Sequence, residues 1–217
     1  MQIHDIDMPK NLYYNFYVKN SASVRRLRKM PRKNMFTREE VLACALELAR
    51  ERGISAVTAR ALGARLGTTS RPIFGLFENM AEVQRGIFDS AYKLYRQRLA
   101  DAMESGEYPP YKASGMAYIR FAGEERELFK LLFMRDRTGE RIDTDPEELE
   151  GLLDLICAGV GIDREEARLF HFEMWAYVHG FAAMAATGYC EWDTELVSRA
   201  LTDMYEGLKY RFKNPAG

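Results

Sequence analysis
Arg60 and Arg71 stand on either side of a run of hydroxyls, Thr68, Thr69 and Ser70. Guanidinium forks and short hydroxyl side chains are the donors that read guanine edges and hold phosphate oxygens in the major groove of duplex DNA. Thr58 can cap a helix and touch a phosphate at the same time. Phe74 and Gly75, facing outward, complete the candidate face. Upstream, Arg32 and Lys33 belong to a basic run of the kind that lies along the DNA backbone or in the minor groove. Nothing else in the chain has the spacing of a reaction centre. His171 and His179 lie two helical turns apart, not the i, i+4 pair that grips one ion. No serine sits in a nucleophile elbow. Gly106, Gly115 and Gly123 are scattered rather than gathered into a phosphate loop. The residues therefore predict no catalytic site, no metal and no cofactor.

The stretch that must position these donors is Val57–Phe77. It reads as a short helix, a tight turn and a second short helix. Thr58 opens the first, Ala61, Leu62 and Leu66 recur at helical spacing, and Gly67 ends it in a left-handed conformation. Thr69 is expected to cap the second helix, with Pro72 in its first turn, where a missing N–H costs nothing. Ile73, Leu76 and Phe77 then point inward, leaving Ser70, Arg71, Phe74 and Gly75 outside. Two short helices jointed at a glycine have the shape of a DNA-binding helix-turn-helix. An αα-hairpin inside a helical bundle has the same shape.

The flanking chain is helical throughout. Thr37 and Glu40 form a capping box for a helix to about Arg52, and Phe36 can staple against Val41. Asn79 opens a long helix to about Ser105. Helices follow at about 111–123, 125–134 and 146–158, and Asp163 with Glu166 caps one that runs to Thr187. A last helix spans roughly 194–212. The count is about nine helices with no strand-like alternation, so the fold class is all-α. Residues 1–29 show no period and read as a disordered basic arm, with Met30 as a second plausible start. Residues 30–80 read as the helix-turn-helix DNA-binding domain, and 81–217 as a helical effector-binding and dimerisation domain.

Charge supports that division. Residues 1–35 carry eight Lys/Arg and two Asp, 36–100 carry ten basic and seven acidic side chains, and 101–217 carry 13 and 23. A basic front and an acidic rear predict that only the first third meets an anion. Cys44, Cys157 and Cys190 are far apart with no CxxC pair, as expected of reduced, buried thiols in a cytoplasmic protein. Met1–Asn20 lacks the apolar core of a signal peptide. The uncharged stretch Met174–Cys190 fits a buried helix better than a membrane span.

The order of elements resembles the TetR (tetracycline-repressor) family. Gly53, Thr58, Arg60, Gly67, Ile73, Phe74 and Phe77 stand at the positions of the family's usual G-x-x-x-x-T-x-R, turn and L-Y-x-x-F pattern. Phe74 replaces the tyrosine that often meets a phosphate, and Met80 replaces a common lysine. Trp175, His179 and Gly180 resemble the Trp…His-Gly signature of one class of TetR C-terminal domain. The resemblance implies a regulator, a repressor, with a C-terminal domain that dimerises and binds a small effector. Candidate pocket residues are the aromatic and Met side chains Phe88, Tyr92, Tyr95, Met116, Phe121, Phe129, Phe133, Met134 and Trp175. Stripes on the last two helices predict a dimer interface of Phe172, Trp175, Ala176, His179, Ala183, Ala186, Val197, Leu201, Met204 and Leu208. The expected partners are double-stranded DNA, a second copy of the chain and an unknown small molecule, with no membrane. The competing reading is a helical ligand-binding or enzymatic bundle that does not bind DNA.

Overall fold
The N-termini of the first and seventh helices are built by the same local device. Thr37 accepts from the Glu40 amide at 3.1 Å, and Glu40 Oε2 accepts from the Thr37 amide at 2.8 Å. Asp163 and Glu166 repeat the box. Each pair satisfies orphan donors of a first turn. The computed structural model describes residues 36–136, 146–190 and 193–214, all within one unit spanning Asn34–Gly217. Arg32, Lys33 and the 1–29 arm lie outside the described residues.

Eight α-helices are present among them: α1 Arg38–Arg52, α2 Ala59–Arg65, α3 Met80–Glu104, α4 Pro110–Glu124, α5 Arg126–Phe133, α6 Pro146–Val160, α7 Arg164–Thr187 and α8 Thr194–Lys213. Two 3₁₀ turns, Ile54–Ala56 and Ile73–Gly75, fall between α1 and α2 and between α2 and α3. No strand occurs among the described residues, and no helix there is long and apolar enough to cross a membrane.

One hydrophobic core runs from α1 to α8. Val41, Ala45, Leu48 and Ala49 of α1 meet Leu62, Ile73 and Phe77, and the same cluster continues through Val83, Ile87, Ala91, Tyr95 and Leu99 of α3 into α4, α5, α7 and α8. Fully burying each of the larger side chains contributes roughly 1.5–3 kcal/mol. A smaller cluster of Leu153, Ile156, Val160, Ala167, Phe170 and Met174 joins α6 to α7.

The second helix of the expected pair is not an α-helix. Ile73–Gly75 is a single 3₁₀ turn, held by Ile73 N–H to Ser70 O and Gly75 N–H to Pro72 O, both 3.2 Å. Thr68, Thr69 and Ser70 are weak helix formers, Pro72 donates nothing, and Gly75 carries the backbone entropy of glycine, so few good helical residues remain. Thr69 does not cap it; the turn has no side-chain cap. The three cysteines are free but half-buried rather than buried.

Candidate nucleic-acid interface
The joint after α2 is a Schellman turn. Thr68 N–H donates to Gly63 O at 2.8 Å and Gly67 N–H to Ala64 O at 3.2 Å, with Gly67 at φ +68°. That left-handed residue is cheap for glycine alone. The chain then folds back onto α2 so closely that a Cβ on Gly63 would lie 2.8 Å from the Thr69 carbonyl carbon. Gly63 was not among the candidate residues. Its signal in the sequence was a glycine inside a helix, which needs a packing reason.

Ile73 and Phe77 are buried beneath the turn, as expected, and Leu76 is half-buried. Arg38 of α1 locks its far end. Its guanidinium donates to Leu76 O at 3.0 Å and to Glu82 Oε1 at 2.6 Å, and lies 4.3 Å from the centre of the Phe77 ring. The Glu78 amide and then Arg38 hold the Glu82 carboxyl below the usual carboxylate range. The turn is thereby tied to the first turn of α3.

Thr58, Arg60, Thr69, Arg71, Phe74 and Gly75 are exposed, and Thr68 and Ser70 are half-buried. Thr58 caps α2, accepting from the Ala61 amide at 3.1 Å. The neighbouring arginines divide into two kinds. Arg65 is clamped by both oxygens of Glu51 at 2.6 Å, and Arg38 is committed as described. Arg60 and Arg71 have no ion pair among the described residues and keep their forks in solvent.

The aromatic pocket candidates are core. Tyr95 meets Phe133 at 5.1 Å, Phe121 at 5.5 Å and Tyr118 at 6.0 Å, while Phe129 meets Phe133 at 5.0 Å. Phe88 and Tyr92 stack at 6.4 Å. Rings at these spacings pack against one another, with Tyr95, Phe121 and Phe129 buried and Phe88, Tyr92 and Phe133 half-buried. Met134 and Trp175 are exposed at the surface instead. A half-open cleft of about 270 Å³ does exist at the α4–α5 corner, and of the nine candidates only Met116 lines it.

His179 is fixed by its neighbours. It stacks between Trp175 at 5.1 Å and Phe129 at 6.0 Å and shares a 2.9 Å hydrogen bond with the Tyr118 hydroxyl. His171 pairs with Tyr111 at 3.1 Å. Burial pushes both imidazoles below the usual histidine value. Among the described residues no group of three or more His, Cys, Asp or Glu converges as a metal site.

The expected dimer stripe splits. Ala186, Val197 and Leu201 are buried in the chain's own core, because α7 and α8 turn those faces onto α4. His179, Ala183, Met204 and Leu208 are half-buried. Phe172, Trp175 and Ala176 lie outside, with Phe172 61 % and Trp175 45 % exposed, beside Leu169 at 50 %.

Residues 111–206 match the family model for the tetracyclin repressor-like C-terminal domain. The C-terminal part of the chain is therefore similar to that of the tetracyclin repressor-like proteins. Among solved structures, a TetR-like transcriptional regulator from Rhodococcus sp. RHA1 shares the fold at 15 % identity. It covers 82 % of this chain and 96 % of its own, with a TM-score of 0.57. A second transcriptional regulator from Rhodococcus sp. RHA1 superposes less closely, with a TM-score of 0.48 at 18 % identity, over 78 % of this chain and 94 % of its own. No curated protein matches the sequence significantly. The likeness shows the fold: all-α, with a helix-turn-helix head and a helical C-terminal domain.

Proposed function
We propose that the chain is a cytoplasmic repressor that binds a near-palindromic operator as a homodimer and changes its affinity when a small molecule binds. Residues 30–80 form the DNA-binding domain and 81–217 the effector and dimerisation domain. The reading rests on one contrast within the head. Arg65 and Arg38 are locked onto carboxylates, while Arg60 and Arg71 stand unpaired beside the exposed Thr69, Phe74 and Gly75. Guanidiniums with no ion pair to break can meet phosphates and base edges directly and release counterions there. The 3₁₀ turn presents Ser70 and Arg71 to base edges, and Thr58 and Arg60 lie on the adjoining backbone, with Arg32 and Lys33 reaching a further phosphate or the minor groove.

The outer face of α7 supplies the second copy. Leu169, Phe172, Trp175 and Ala176 leave one apolar strip in solvent while a separate strip faces the core. A two-fold pair through that strip sets two reading heads about one DNA turn, roughly 34–36 Å, apart. The effector acts by favouring one head spacing over the other.

The test is fluorescence anisotropy at fixed salt, using duplexes that flank the protein's own gene. Arg71→Ala should weaken binding by about 1–3 kcal/mol with the melting temperature unchanged. Equal affinity of the variant and the wild type removes Arg71 from the interface. An absence of binding to any of the duplexes leaves the helical ligand-binding bundle as the better reading.

A further inference from the structure
The α4–α5 corner combines a cleft, two cations and a buried anion. Met116, Ile119 and Val197 form a buried apolar floor, and Arg120 and Arg126 stand at the rim. Among the described residues the lining contains no Asp or Glu. Arg126 is exposed and has no ion pair among the described residues. Arg120 has one ion pair among the described residues, to Glu107 at a loose 3.6 Å with both side chains half exposed. The volume of about 270 Å³ lies just below the usual range for drug-sized ligands, roughly 300–1,000 Å³. Two guanidinium forks over an apolar floor match one planar oxyanion carrying a short apolar tail.

Between the two arginines lies Glu125, the one buried charged residue among those described. It takes no part in the cleft lining. Its carboxylate accepts from Arg50 Nε of α1 at 2.7 Å and from Arg98 Nη2 of α3 at 2.8 Å. Its backbone, at φ −118° and ψ 50°, breaks the helix between α4 and α5. The α4–α5 corner therefore holds cations toward the cleft and an anion toward α1 and α3.

We propose that this cleft binds a small amphipathic carboxylate through Arg120 and Arg126, and that Glu125 carries its occupancy to α1 and α3. Drawing both arginines onto one carboxylate moves the two sides of the turn together. Glu125 then moves with the turn, and α1 follows through Arg50. The inference deepens the effector response proposed above and rests on that reading only for its consequence at DNA.

Binding is read on the full chain without DNA, by calorimetry with octanoate, its neutral analogue octanamide and inorganic phosphate. Octanoate should bind once per chain, with octanamide and phosphate each at least about tenfold weaker, because each lacks one half of the match. Arg126→Gln should weaken octanoate by about tenfold, and Arg120→Gln provides the same test should the first variant fold poorly. Hydrogen exchange across Leu48–Arg52 of α1 should change with octanoate in the wild type and stay fixed in Glu125→Gln. No octanoate binding, octanamide binding as tightly, phosphate binding as tightly, or unaltered affinity in both arginine variants overturns the site. Unaltered exchange in α1 of the octanoate-bound wild type overturns the relay. A failure of DNA binding in the anisotropy test leaves these readouts standing, so the two readings fail separately.

Discussion

Glu125→Ala tests whether the head is held to the rest of the fold by charge. The wild-type carboxylate is 7 % exposed and accepts two charge-assisted bonds, from Arg50 and Arg98. Each such bond contributes about 1.5–3 kcal/mol. Truncation forfeits both but does not strand two buried cations. Arg50 keeps Glu47 at 2.7 Å, Arg98 keeps Glu124, and the arginine side chains are 33 % and 36 % exposed. Water and the remaining carboxylates recover roughly half the loss, which leaves a net destabilisation of about 1.5–3 kcal/mol. For a chain of this length that lowers the melting temperature by roughly 3–12 °C. Arg50→Ala alone should cost about 1 kcal/mol, since Glu125 retains Arg98, and a double-mutant cycle between Glu125 and Arg50 should return coupling of about that size. Glu47→Ala breaks only an exposed i, i+3 pair and should stay below about 0.5 kcal/mol. Urea unfolding by circular dichroism measures the wild type, the three single variants and the double mutant. A Glu125→Ala chain within about 0.5 kcal/mol of wild type, or a Glu47→Ala loss equal to it, would refute the reasoning.

Further expectations follow from the same contacts. Gly63→Ala sets a Cβ against the Thr69 backbone and should cost about 1–3 kcal/mol. Gly86→Ala meets only the tip of the Leu42 side chain, so thermal melts should show a clearly smaller loss. Phe172→Asp should convert a dimer to a monomer in light scattering with the helical signal unchanged, and a variant that stays dimeric excludes the outer face of α7. Stability should fall on acidification. His171 and His179 titrate in the fold below the ordinary value of 6.5, so the unfolded chain binds protons first. Their contribution is whole above that value and is lost as pH falls through it toward the folded-state values. Urea midpoints between about pH 7.5 and 5 should show this, with a shallower slope in His179→Gln.

Features legible in the sequence were those that a few adjacent residues decide. The boxes at Thr37 and Asp163, the Asn79 cap and the Gly67 stop each satisfy orphan groups of one helix end, so their spacing alone identifies them. The outward placement of Arg71, Phe74 and Gly75 was legible for a related reason, since burial of Ile73 and Phe77 settles which side faces water, whereas Ser70, expected outside, is half-buried. The 3₁₀ turn was less so. Its residues show an apolar period that suits a short α-helix, and the choice between i→i+3 and i→i+4 bonding depends on how the turn seats against α1 and α3.

Features that involve distant partners were not legible. Arg50 and Glu125 are 75 positions apart, and each reads alone as a solvated helix charge. Aromatic type does not say whether rings interlock or surround a space, so Phe121 and Phe129 looked like pocket walls while filling the core. α7 shows the limit most directly. Ala167, Phe170, Met174, Val178, Ala182 and Ala186 form one apolar stripe, and Leu169, Phe172, Trp175 and Ala176 form another. A single helical period cannot separate two apolar faces on one helix, and only the position of α4 decides which lies inside. The excess apolar surface was therefore readable from sequence as an amount, but its direction was not. That direction is what leaves Phe172 and Trp175, rather than Ala186, in solvent.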